Sequence, residues 1–339
     1  MIASARLATI VPALALLSMA VPALADGPRF AVYGDMPYTD ADQAFLDGPA
    51  SARLAGDAGV DFVISVGDLG RPETACADDW QVRQRRMWRE GFRRPVIPTP
   101  GDNDWTDCDR KQLSHPVSEL GRLDALRRIH FETPPPGIDR QWRWRAQHGQ
   151  PENAMWATGG VQFATLHVVG TANGRAQIEL DDKQLAWALA DARDQANRVW
   201  LAETFRAARQ SGAKAVVIAM QVDPFNPKYV DPGKPAPADP LARCLASSPF
   251  APTCRALVGE ALGFAGPVLL VHGDTNPACL EPIDSADGRR LFWRLNAWGD
   301  FSSPPAIAVV DIEPGDAARP FRVSSLLDDG PTLPAACRY

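Results

Sequence analysis

Short apolar runs alternate with amphipathic stretches along most of this chain. Arg29-Phe30-Ala31-Val32-Tyr33, Asp61–Val66 and Pro95–Pro98 are near-continuous apolar runs, and a polar turn follows each. Helical spacing fills the intervals, from about Ala41 to Ala58 and from Asp79 to Glu90. Strand, helix, strand, helix, strand with uninterrupted apolar strands predicts a parallel α/β sheet. A helix is expected over Ser118–His130, followed by a segment carrying Trp142 and Trp144. Ala154–Thr158 and Val161–Val169 read as two strands, joined as a hairpin across Thr158-Gly159-Gly160. Asp181-Asp182 caps a long helix running to about Ser211, with Gln195 a candidate break. Lys214–Ala219 and Pro267–Val271 are two more buried strands, the second preceded by a helix near Leu257–Leu262. Leu291–Leu295, Ala306–Ile312 and Phe321–Ser325 lie close in sequence and are expected to form a second, partly antiparallel sheet. The proline-rich span Pro224–Pro240 reads as a surface loop rather than a domain linker, because core elements continue beyond it.

The first 25 residues stand outside this pattern. A short basic start to Arg6, an apolar run from Leu7 to Ala20 and Ala23-Leu24-Ala25 before Asp26 predict a cleaved secretory signal peptide. No second apolar run is long enough to span a membrane. The remaining residues 26–339 are expected to form one domain, periplasmic or secreted. Loss of Arg6 would take the formal net charge from −6 to −7. That balance has no basic stripe in it, and nucleic acid is not an expected partner. Six cysteines follow the signal segment: Cys76, Cys108, Cys244, Cys254, Cys279 and Cys337. In an oxidising compartment three disulfides are the default, with fifteen pairings possible. The expected pairing is Cys76–Cys108, Cys244–Cys254 and Cys279–Cys337; the first would tie two polar loops together. Spacings typical of zinc knuckles are absent.

Seven Gly-Asp pairs occur, where random order would give roughly two or three. Four of them sit at the ends of apolar strands: Gly34-Asp35, Gly67-Asp68, Gly101-Asp102 and Gly273-Asp274. Loops at the carboxyl ends of parallel strands converge, and active sites of open α/β sheets lie there. Glycine lets the backbone turn sharply and leaves room for an acid to point into the cleft. Each aspartate alone reads as a cap or turn residue. Together, four converging carboxylates oppose joint ionisation unless a cation offsets them. Oxygen-rich sites favour hard ions. The stretch Gly101-Asp102-Asn103-Asp104-Trp105-Thr106-Asp107-Cys108-Asp109-Arg110 is the densest of these loops.

The order of loops resembles the calcineurin-like metallophosphoesterases. Their motifs run D-x-H, G-D-x-x-D, G-N-H-D/E, a lone His after a strand, and G-H-x-H. This chain offers Asp35-Met36-Pro37, Gly67-Asp68-Leu69-Gly70-Arg71, Gly101-Asp102-Asn103-Asp104, Gln221 and Gly273-Asp274-Thr275-Asn276. The resemblance implies a four-layer α/β sandwich of two mixed sheets flanked by helices. It implies metal ligands Asp35, Asp68, Asp102, Gln221, Asp274 and Asn276, with Asp68 bridging two metals. Every histidine of the family pattern is replaced, at Pro37, Asn103, Gln221, Asp274 and Asn276, and Arg71 replaces an acid. Loss of imidazole shifts the preference from iron or zinc toward Mg²⁺, Mn²⁺ or Ca²⁺, or toward no metal.

Asn103 stands where the family has its general acid, and an amide has no acidic proton to give. The penalty expected for that loss is roughly 10²–10⁴-fold. Asp104 reads as an orienting acid, His272 as an acid or base beside Asp274, and Arg71 or Arg110 as a phosphate contact or a partner for nearby acids. Asn173 reads as a turn residue and Trp105 as a core residue or a cleft wall. No G-x-S-x-G elbow or P-loop is present. The expected function is a divergent metal-dependent phosphoester hydrolase acting on a small phosphorylated substrate. The alternative is a pseudo-phosphoesterase that binds a ligand or partner in the same cleft without turnover.

Overall fold

The computed structural model describes residues 27–56, 59–275, 278–299, 303–334 and 336–339. The expected signal segment and Asn276 lie outside the described residues. Twelve strands are described: β1 (Arg29–Tyr33), β2 (Phe62–Ser65), β3 (Val96–Pro98), β4 (Arg145–Gln147), β5 (Gln150–Thr158), β6 (Val161–Thr165), β7 (Ala215–Ala219), β8 (Val268–His272), β9 (Cys279–Asp284), β10 (Arg290–Asn296), β11 (Ala308–Ile312) and β12 (Phe321–Ser325). They form a five-stranded sheet, β12-β11-β1-β2-β3, and a seven-stranded sheet, β4-β5-β6-β7-β8-β10-β9. The expected sandwich of two mixed sheets flanked by helices is what the chain forms.

Alternation of side chains decides which layer each residue joins. Phe30, Val32, Phe62, Ile64 and Ile97 of the first sheet share one core with Trp156, Phe163, Val217, Leu269, Val271 and Leu295 of the second. Neighbouring positions in β1 and β2 point outward. Ala31, Tyr33 and Val63 pack against Leu46, Leu54, Met87, Trp88 and Phe92 from the helical stretches that follow those strands. On the far side Val216, Ile218, Val268 and Leu270 pack under Trp200, Leu201, Phe205, Leu257 and Ala261. Strands with helices on one face and a sheet on the other are buried on both, which is why they read as continuous apolar runs.

The helix Lys183–Ser211 runs unbroken through Gln195. It contains no glycine or proline to interrupt it, Asp182 caps its start by accepting from the Leu185 amide, and Gly212 at φ 66° ends it. The hairpin across Gly159-Gly160 forms, with both glycines at positive φ. All three expected disulfides are present: Cys76–Cys108, Cys244–Cys254 and Cys279–Cys337. Such bonds fit an oxidising compartment. Among the described residues no helix is long and apolar enough to cross a membrane.

The last strands correct one expectation. They do not make a sheet of their own. β10 lies inside the seven-stranded sheet, parallel to β8 with Trp293 opposite Leu269, whereas β11 pairs antiparallel with β1 and carries β12 at the edge. Burial explains the division: β10 is covered on both faces, while β12 alternates buried and open positions as an edge strand does. Two strands escaped the pattern. β4 is three residues long and largely exposed, and β9 contains Pro282, which only an edge strand tolerates.

Candidate active site

Strands β1, β2 and β3 run parallel, as do β6, β7 and β8. Their carboxyl ends meet, and backbone hydrogen bonds sew the loops together. The Asp35 amide donates to the Gly67 carbonyl at 3.1 Å, and the Gly273 amide to the Gln221 carbonyl at 2.8 Å. Asp35, Asp68 and Asp274 each sit in the left-handed region, at φ 50°, 55° and 63°. Among non-glycine residues aspartate and asparagine visit that region most readily. The turn thus falls on the acid itself. Of the four glycines before these acids only Gly67, at φ 86°, needs conformational freedom. Gly101 and Gly273 are there for space: a Cβ on Gly101 would come 2.0 Å from Asp68 Oδ1, and one on Gly273 2.3 Å from Asp35 Oδ2. These two loops thus leave room for the carboxylates of Asp68 and Asp35.

The carboxylates are buried and share donors. Asp35 accepts the Asp274 amide on both oxygens, at 3.2 and 2.9 Å. Asp68 accepts from the Tyr38 hydroxyl (2.9 Å), the Asn103 amide (3.0 Å) and Gln221 Nε2 (3.3 Å). Gln221 Nε2 also donates to Asp102 Oδ1 at 2.9 Å, while its oxygen accepts the Gly170 amide at 2.8 Å. That second bond fixes which end of the amide faces the acids. Asp274 is held by Lys228 Nζ at 3.0 Å and by the Tyr229 hydroxyl at 2.7 Å. Asp104 accepts from the Gly101, Asp68 and Leu69 amides and from Gln81 Nε2, so it fixes the backbone of two acid loops.

Burial dominates the electrostatics. It raises Asp35 to about 7, with Asp102 adding to the rise, and Asp274 to about 8, again with Asp102 adding. Asp68 is pushed well above the usual carboxylate range by burial and then by Asp102, Asp35, Asp104 and Asp274. Burial also raises Asp107 to about 7, although Arg110 stands 2.5 Å from it. Lys228 loses some of its preference for the charged form to burial, but Asp274 more than restores it.

Among the residues singled out from sequence, Asp35, Asp68, Asp102, Asp274, Gln221, Asn103 and Asp104 come together. Asn103 Nδ2 donates to the Tyr38 hydroxyl (2.7 Å) and the Gly70 carbonyl (3.1 Å). Arg71 stands at the rim with its guanidinium 4.9 Å from the centre of the Tyr38 ring. His272 turns elsewhere. It is fully buried, its Nδ1 lies 3.1 Å from the Gly273 carbonyl, and its Nε2 faces Asp223 at 3.9 Å within a cluster that includes Arg294. Burial lowers its pKa, so it stays neutral. Arg110 pairs with Asp107, and Trp105 is core, flanked by His167 and Arg193. Asn173 is a turn residue: its Oδ1 accepts the Val169 amide at 3.1 Å.

Sequence reasoning missed Tyr38, Thr171, Lys228 and Tyr229. The Thr171 hydroxyl lies between Asp102 and Asp107, at 3.1 and 2.7 Å, with one proton to share between them, on a left-handed turn spanning Thr171, Ala172 and Asn173. Such a turn costs about 1–2 kcal/mol per residue, and strain of that kind collects at functional sites. Tyr38 lies three residues past Asp35 and had that signal. Lys228 and Tyr229 come from the proline-rich loop and had none.

The donor set fits one hard cation in kind, because Asp35, Asp68 and Asp102 are oxygen ligands with lone pairs to spare. Two cations fit poorly. The Gln221 oxygen is held by Gly170, and Asp274 is already balanced by Lys228. As they stand, no three histidine, cysteine or acidic side chains among the described residues are placed closely enough to hold a metal ion, so the acids would have to draw together around one.

No family profile and no curated protein sequence matches the chain. Solved structures do. One, the structure of PhoD, aligns at a TM-score of 0.50 and 10% identity, over 92% of this chain and 75% of that one. At that identity the likeness is one of fold alone: two mixed sheets packed together and flanked by helices.

Proposed function

We propose that this protein is a phosphoester hydrolase that works with one hard divalent cation at Asp35, Asp68 and Asp102. One observation carries the proposal. Buried carboxylates from four strand ends face one another, and Lys228 is the single cation bonded to any of the four in the described contacts. A divalent ion would balance the remainder and, when bound, act as a Lewis acid on a phosphoryl oxygen. The protein's own groups then position and screen. Asp104 holds two acid loops rigid. Asn103 anchors Tyr38 rather than supplying a proton, and Tyr38 keeps its own proton, since burial and Asp68 raise its pKa. Lys228 and Arg71 place positive charge at the rim, where a phosphate would arrive. Secretion to the periplasm or beyond accords with the three disulfides.

The alternative, binding without turnover, has one feature in its favour. Gln221 and Lys228 put hydrogen-bond donors where the resemblance would put metal ligands. Turnover decides between the two. Purified protein is assayed with p-nitrophenyl phosphate and bis-p-nitrophenyl phosphate in Mn²⁺, Mg²⁺ or Ca²⁺. The hydrolase reading expects slow, cation-dependent release of nitrophenol that disappears in Asp68→Asn. No release with any of the three ions, from protein that binds phosphate, leaves the binding reading.

A further inference from the structure

A cavity of about 310 Å³ runs along the free edge of β3, walled by residues 85–98 and 130–137. Its volume is at the lower end of small-molecule sites. Four arginines line it, Arg85, Arg89, Arg93 and Arg94, and its lining contains no acidic residue. That is unusual in a chain of net charge −6. The guanidiniums are held by backbone carbonyls rather than neutralised by acids. Arg85 binds the Ile129 carbonyl, Arg94 that of Gly56 at 2.8 Å, and Arg93 that of Glu90 at 3.4 Å. Arg89 has one loose acidic neighbour, Glu90 at 4.0 Å. Most of the remaining wall is apolar, with Trp88, Pro95, Pro135 and Pro136.

His130 gives the second, independent observation. It lines the same cavity at 8% exposure, and its ring lies 5.2 Å from that of Trp88. Gln81 spends its Nε2 on the Ala75 carbonyl and on Asp104, so its oxygen accepts from His130 Nε2 at 2.8 Å. The imidazole is kept neutral, lowered to about 3 by burial and then by Arg85 and Arg122. Its Nδ1 is therefore an acceptor, and it has no partner. Arg94 Nε is likewise buried without one. Buried polar atoms without partners beside a half-open pocket mark a place where a ligand or ordered water can bind.

We infer that this cavity is a second binding site, separate from the acid cleft, for a small oxyanion carried on an aromatic body. The arginine forks meet the oxyanion, and Trp88 and the prolines offer the ring an apolar wall, with His130 buried behind them. Nothing in this inference depends on the acid cleft being catalytic.

The probe is 6-hydroxy-2-naphthoate, titrated calorimetrically into the whole protein at low salt, with its uncharged methyl ester as control. The expected result is saturable one-site binding. Affinity should drop roughly tenfold or more for the ester and for Arg89→Gln/Arg93→Gly, the size of one lost charged contact. Arg93 sits at φ 53°, so glycine there removes the guanidinium without straining the turn. An unchanged melting temperature will show that the variant folds. Asp68→Asn should bind as the parent does. Absence of saturable binding, equal binding of the ester, or loss of binding in Asp68→Asn with retention in the arginine variant would overturn the inference.

Discussion

Glu152 and Asp35 are both buried carboxylates, and they differ in what faces them. Burial works to raise Glu152, but a hydrogen bond from His167 at 2.8 Å and a fork from Arg127 at 3.1 and 2.8 Å overcome it and hold the acid at about 2. Burial raises Asp35 to about 7: the Asp274 amide opposes it too weakly, Asp102 adds to the rise, and no guanidinium among the described residues faces the acid. Depth is the same in kind; the balance of charge is not. The first site is a closed ion pair and serves the fold. The second carries an excess of acid that the fold does not offset, and such imbalance marks a place where something binds.

Breaking the closed pair should produce the largest effect. Arg127→Ala leaves Glu152 facing only His167. Because Arg127 is 29% exposed, the loss should be about 2–3 kcal/mol, below the ~3–5 kcal/mol of a wholly buried pair, read by urea unfolding. Asp35→Asn should move stability the other way. In chelator at pH 8 it removes an unfavourable buried charge and should raise stability by about 1 kcal/mol, roughly 2 °C in melting temperature. A loss of stability in that variant would mean the acid cluster is balanced after all.

The pH profile sharpens the contrast further. Asp35 and Asp274 have folded pKa values, about 7 and about 8, above the ordinary carboxylate value, so the native state holds protons that the unfolded state releases. The stability they contribute is complete below about pH 4 and is lost as pH rises through 7 and 8. Chelated protein should therefore melt lower at pH 8.5 than at pH 5.5. Glu152, depressed to about 2, has the opposite sign: its contribution is present above the ordinary carboxylate value and lost only as pH falls toward 2. Arg127→Ala should leave the alkaline decline in place, whereas Asp35→Asn should flatten it.

Much of this was legible in the chain, for definite reasons. β1 matches its expected bounds to the residue, because a buried apolar run ends there in a sharp polar turn, and β12 does so as an alternating edge strand. The strand-end acids were legible because a loop after a buried parallel strand has one place to go. The sheet membership of the last strands was not, since nearness in sequence does not fix pairing; burial on both faces of β10 does. His272 had the right position and the wrong direction: strand alternation carries its ring toward Asp223 and Arg294. Lys228, which balances Asp274, arrives from a loop with no periodicity to read.

The central claim is that the acid cluster binds a divalent cation. It is tested most directly by melting chelator-treated protein at pH 8 with and without Mn²⁺, Mg²⁺ or Ca²⁺. An ion at about 100 times its Kd should add roughly 2.7 kcal/mol, a rise of several degrees, and that rise should vanish in Asp68→Asn. An unchanged melting temperature with all three ions would contradict the account.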